Sequence, residues 1–133
     1  MTYLVDTDIV IDILGDETAA VDLFSRLSQA GVSMSIITYM EAYEGLSYSS
    51  SSASLLSKLE SFLNAVPIVP ISEETARRCA GIRSTLRRKG RRVRQRALDL
   101  LIAATAIEHN LTLVTRNQAD YADIPGLSLY NDF

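Results

Sequence analysis

Five short apolar runs punctuate this chain, and helix-length segments separate them. The runs are YLV at 3–5, VSMSI at 32–36, VPIVPI at 66–71, LTLVT at 111–115 and the end of IPGLSLY at 124–130. Between them, apolar residues recur at three- and four-residue spacing, the period of a helix. Ala20, Val21, Phe24, Leu27 and Ala30 form one such stripe, and Leu55, Leu56, Leu59 and Leu63 another. Strands joined through helices cannot pair as tight hairpins; they need crossovers, which favour parallel pairing with helices on both faces. The expected fold class is α/β, a three-layer α/β/α arrangement around a central, mostly parallel sheet. No repeat or linker divides the 133 residues, so 1–133 is expected to be a single domain.

Local signals place the elements. In TDIVIDIL, Ile9 pairs with Ile13 and Val10 with Leu14, which predicts a helix starting after Thr7 or Asp8 and broken at Gly15. Thr38 is expected to cap a helix that carries Glu41. The serine-rich run 47–54 reads as a flexible link or a solvated helix start. Prolines 67 and 70 make VPIVPI an edge strand or a strand end. Ser72, followed by two glutamates, opens a helix that Gly90 closes. Asp99 begins an alanine-rich helix to Asn110, and the chain finishes with a turn and a last strand.

Composition narrows the setting. Cys79 is the single cysteine, so a disulfide framework is ruled out, and a buried apolar role is expected. No apolar run reaches the roughly 18 residues that a membrane span needs. No basic stretch precedes the N-terminal apolar run, as it would in a signal peptide, so a cytoplasmic protein is expected. The net charge of −3 hides an asymmetry: residues 1–76 sum to −9 and residues 77–133 to +6. One surface can therefore attract a polyanion despite the acidic total.

In such a sheet, ligands bind beyond the C-terminal ends of the strands. YLVDTDIVID places Asp6 at the end of the first strand, and a loop, a helix cap and a metal site each account for it. Glu41 lies five residues past SMSI, and Asp99 opens its helix. Asn117 and Asp120 lie two and five residues beyond LTLVT. Four segments thus present oxygen ligands to one rim. Mg²⁺ and Mn²⁺ take such ligands, and two ions about 4 Å apart suit phosphodiester cleavage. His109 lies ten residues along the helix from Asp99, roughly 15 Å away, which makes it a poor general base. Each acid also has a plainer reading: a turn or cap for Asp6, a cap for Asp99, local hydrogen bonding for Asp8 and Asp12. Asp8 is near enough to join the site, and Glu44, one turn past Glu41, is a candidate outer ligand.

Three stretches together resemble one family. YLVDTDIVI carries Asp6, SIITYMEAYEG carries Glu41 and Gly45, and DLLIAATAIEHNLTLVTRNQADYADIPGL carries Asp99, Thr115, Asn117 and Asp120. In order and spacing they resemble the PIN-domain family, and within it the VapC-type toxins of toxin–antitoxin pairs. The resemblance implies a compact α/β/α fold and Mg²⁺- or Mn²⁺-dependent cleavage of RNA by a homodimer. It also implies a VapB-type antitoxin whose C-terminal tail blocks the acidic pocket. By the same resemblance Asp6, Glu41 and Asp99 are core metal ligands, Asn117 or Asp120 completes the set, and Thr115 is a possible addition. Asp8 departs from the pattern, standing where many members have Asn.

RRKGRRVRQR at 87–96 holds seven basic residues in ten, just before Asp99. Arg91, Arg92, Arg94 and Arg96, together with Arg116, are expected to hold RNA phosphates beside the acids. A solvated helix end and an antitoxin contact are the alternatives. Metal-assisted hydrolysis leaves a 5′-phosphate and a 3′-hydroxyl. Two rival functions use the same residues: a structure-specific DNA nuclease, and a non-catalytic binding protein with a degenerate pocket.

Overall fold

The computed structural model describes residues 2–48 and 52–133. Four strands form one sheet: β1 (Tyr3–Val5), β2 (Val32–Ser35), β3 (Ile68–Val69) and β4 (Thr112–Val114). Their order is β3-β2-β1-β4, and every neighbouring pair is parallel. The helices are α1 (Thr7–Leu14), α2 (Thr18–Leu27), α3 (Ile36–Leu46), α4 (Ser52–Ala65), α5 (Glu73–Arg88), α6 (Ala97–Glu108) and α7 (Gln118–Tyr121). Short 3₁₀ turns at Ser28–Ala30 and Arg94–Arg96 complete the described chain.

Side chains of a strand point alternately to its two faces, and here the alternation sorts two cores. Leu4 and Leu113 face a core built with α5 and α6, which contribute Ile82, Leu86, Leu100 and Ala103. Val5 and Val114 face the other core, with Ile9, Leu23, Met34 and Leu59 from the remaining helices and β2. Covering both faces buries β2 completely, its serines included. Complete burial of a Val or Leu side chain is worth about 1.5–3 kcal/mol, so a one-residue register slip in β1 would be costly. In α6, Ala103, Ala104 and Ala106 are fully buried; their small side chains let the helix lie close to the sheet. Cys79 is buried and free, as expected. No helix among the described residues is long and apolar enough to cross a membrane.

Several boundaries differ from the sequence reading. Ser35, not Thr38, caps α3: its Oγ accepts the Thr38 N–H at 3.1 Å, and Ile36 joins the helix. Asp99 is not a cap either; α6 starts two residues earlier, after Arg96, which places Asp99 in the first turn. VPIVPI shrinks to a two-residue strand at the sheet edge, because Pro67 and Pro70 have no N–H for the ladder. The last strand reduces to one parallel bridge, Leu113 to Leu129. Gln118 Nε2 donates to the Tyr130 carbonyl at 2.9 Å and to the Thr115 carbonyl at 2.8 Å, diverting that backbone to α7. Residues 49–51 of the serine-rich run lie outside the described residues, and α4 begins at Ser52.

Candidate metal centre

The strand order sets β2, β1 and β4 side by side, so the segments leaving their C-terminal ends meet at one rim. Asp6 follows β1 directly and divides its carboxylate between two tasks. Oδ1 caps α1 by accepting the Thr7 N–H at 2.8 Å. Oδ2 accepts from the Thr115 hydroxyl at 2.8 Å and from the Tyr121 hydroxyl at 3.1 Å. Only 5% of Asp6 is exposed. Burial pushes its carboxyl up to about 6, against the pull of the hydrogen bonds from Thr115, Thr7 and Tyr121, with the Asp8 charge adding to the rise.

The neighbouring residues extend the cluster. The Thr7 hydroxyl donates to Glu41 Oε1 at 2.6 Å, which ties α3 to the start of α1. Asp8 Oδ2 accepts the Arg116 N–H at 2.9 Å, while Asp8 Oδ1 is buried with no partner. Asp99 sits in the first turn of α6, where the helix dipole favours an anion. Burial nevertheless raises its pKa; the Tyr121 hydroxyl lowers it, and the charges of Asp120 and Asp8 raise it further. The Tyr121 hydroxyl thus donates to Asp6 and acts electrostatically on Asp99 as well. Asp99, Asp120 and Asp123 line a cleft of about 470 Å³ together with Arg91, Arg92 and Arg96.

The expected residues fall into groups. Asp6, Asp8, Asp99 and Asp120 act on one another electrostatically, and Glu41 joins through Thr7. Thr115 touches both Asp6 and Asp8. Asn117 is exposed outside the cleft lining, with its N–H on the Thr115 hydroxyl at 3.0 Å. Glu44 is exposed one turn along α3. His109 caps the far end of α6 beside Glu108. Arg116 reaches Asp12 at 2.9 Å, and Arg96 grips Asp123. Arg92 and Arg94 are exposed and make no ion pair among the described residues. Tyr121, Thr7 and Asp123 escaped the sequence reading. Thr7 had one signal, its place between two aspartates; the other two become partners only through contacts more than 20 residues apart in the chain.

The donor set fits a hard divalent cation. Its members are carboxylates, it contains no Cys or His, and one buried carboxylate oxygen lacks a partner. The carboxylates are gathered, not fixed in a coordination shell: among the described residues, no three His, Cys, Asp or Glu side chains converge at ligand distance.

An acidic rim at the C-terminal edge of a parallel α/β/α sheet is the architecture of PIN domains, and the PIN domain family matches residues 3–127. The chain belongs to the PIN-domain family. Its relatives carry VapC names. Ribonuclease VapC2 of Rickettsia felis is 30% identical over 135 residues, covering 98% of each chain. The tRNA(fMet)-specific endonuclease VapC of Shigella flexneri is 28% identical, covering 96% of this chain and 95% of that one. The crystal structure of VapBC2 from Rickettsia felis, bound to a DNA fragment from their promoter, superimposes with a TM-score of 0.88 at 30% identity and 98% coverage of both chains.

Proposed function

We propose that this chain is a metal-dependent endoribonuclease, the VapC-type toxin of a toxin–antitoxin pair. The observation that carries the reading is the buried Asp6 carboxylate, flanked by Asp8, Asp99 and Asp120 and linked through Thr7 to Glu41. The relatives' names, a ribonuclease and a tRNA endonuclease, support RNA over DNA as substrate.

Asp6, Glu41, Asp99 and Asp120 are the residues that would hold Mg²⁺ or Mn²⁺, with Asp8 beside them. Such an ion supplies Lewis acidity that activates water and stabilises the charge developing on the phosphate. The chain's own residues prepare the site. Thr115 and Tyr121 orient Asp6 Oδ2, and Thr7 orients Glu41. Asp120 is favoured over Asn117 as fourth ligand, since it shares the cleft with Asp99. Arg91, held only loosely by Asp123 at 3.9 Å, and Arg92 line the cleft and would meet RNA phosphates, with exposed Arg94 near them in the chain. Arg96 and Arg116 are engaged by carboxylates and serve the scaffold instead. A VapB-type antitoxin, a homodimer, a cytoplasmic setting and a single domain over 1–133 belong to the same reading.

The test is cleavage of total RNA by antitoxin-free protein with Mg²⁺, with Mn²⁺ and with EDTA, reading the product ends. Metal-dependent cuts with 5′-phosphates, absent from Asp6→Asn protein, are expected. Cuts that persist in EDTA or in the variant sink the mechanism.

A further inference from the structure

The acidic cleft uses only part of the positive charge on this chain. From Thr75 to Leu98 there are ten basic residues and no acid. Arg77 and Arg78, at the start of α5, pair with Glu73 and Glu74. Further along the helix the pairing stops. Arg83, Arg87 and Arg88 make no ion pair among the described residues, and the last two are exposed. Together they rim a groove of about 510 Å³ between α5 and α6. Its floor is low because Ala76, Ala80 and Ala97 stand where larger side chains would fill it.

This groove is separate from the cleft that Asp99 and Asp120 line, yet the two share the loop joining α5 to α6. Arg88 stands on the groove and Arg91 on the cleft, with only Lys89 and Gly90 between. Basic residues therefore run through this loop from the cleft to the α5 surface, with Asp123 against Arg91 at 3.9 Å on the cleft side. A cluster of carboxylates repels phosphates, so an RNA needs anchors away from the bond to be cut. We propose that the α5–α6 groove is a second anchoring site for RNA phosphates, carrying the strand that flanks the cleavage site. The arginines meet the phosphates and the apolar floor meets the ribose carbons. A continuous polyanion suits a wall with no acid in it better than a protein partner of mixed charge. The proposal rests on the ribonuclease reading and extends its substrate to RNA long enough to span both features.

The test compares wild type with Arg83→Gln/Arg87→Gln/Arg88→Gln on two substrates. One is a cleavable RNA of about four nucleotides, which occupies the cleft alone, and the other a full-length folded RNA. The expected result for the long RNA is a KM raised about tenfold and a log–log salt dependence of binding shallower by about two. Cleavage of the short RNA stays unchanged, which also shows that the variant folds. An unchanged KM and salt slope for the long RNA overturn the groove, as does an equal loss on both substrates. If wild type cuts neither RNA, the nuclease reading fails by itself. Anisotropy binding of the long RNA in EDTA then still decides the groove, through the difference in salt slope between the two proteins.

Discussion

Arg96 holds Asp123 with both arms of its guanidinium, at 2.7 and 3.0 Å, and donates to the Asp120 carbonyl at 2.8 Å. The residue before α6 thus fixes the C-terminal end of α7 and the turn after it, and with them the separation of Asp99 and Asp120. Side chains of both partners are about three-quarters buried. Asp123→Asn should cost about 2 kcal/mol in urea unfolding, since a charge-assisted fork is lost. Arg96→Lys should cost nearly as much, because an ammonium cannot reproduce the fork. The Arg96 guanidinium holds the Asp123 carboxyl below its ordinary range. Its stabilisation is therefore complete above the unfolded pKa, about 4, and is lost as pH falls through the depressed folded value. A wild-type-to-Asp123→Asn stability difference that does not shrink on acidification contradicts this account.

Asp6 behaves in the opposite sense. With its carboxyl pushed up to about 6, the metal-free folded chain holds this proton more tightly than the unfolded chain does. The contribution is complete below about pH 4 and is lost as pH rises through about 6, a change of about 3 kcal/mol. Asn keeps the helix cap and removes the charge. In EDTA, Asp6→Asn protein should therefore be the more stable of the two above about pH 6 while showing no RNA cleavage. Calorimetric melts across that range check the crossing.

Thr7→Val removes the hydroxyl that holds Glu41 and keeps the shape. We expect Mn²⁺ affinity to fall about tenfold, as losses of ligand-orienting hydrogen bonds do, with a small change in metal-free stability. Titration calorimetry measures the first quantity and a urea melt the second. Unchanged affinity would show that Glu41 needs no tether.

Tyr121→Phe keeps a fully buried ring and deletes its hydroxyl. That hydroxyl lowers the pKa of both Asp6 and Asp99. Both carboxyls should therefore rise in the variant, and the acidic limb of the cleavage profile should move to higher pH. A profile that stays in place would show that the hydroxyl serves packing alone.

Much of the molecule was legible before its structure. Alternating strand and helix periods give a parallel sheet, and in such a sheet acids that follow strands share a rim. That argument brings Asp6, Glu41, Asn117 and Asp120 to the rim, and Asp99 joins them from the start of its helix. Boundaries were harder where two residues compete for one role. Ser35 and Thr38 are both able to cap α3, and only backbone geometry selects Ser35. For Asp6 the sequence allows a loop, a helix cap or a metal site, but a carboxylate has two oxygens, and here one caps α1 while the other faces Thr115 and Tyr121.

What the sequence determined by itself was whatever a local period or a neighbouring residue records: the layers, the acidic rim and the basic run. What the tertiary structure decided was how individual charges are used. Arg96 looked like a phosphate ligand beside its basic neighbours, and 27 residues further on Asp123 claims it. Tyr121 carries no signal in the sequence, and its hydroxyl reaches an aspartate 115 residues away. The reason is physical. Hydrophobic periodicity is set by geometry within one element, whereas a hydrogen bond needs its partner within about 3 Å, and only the folded chain brings distant residues that close.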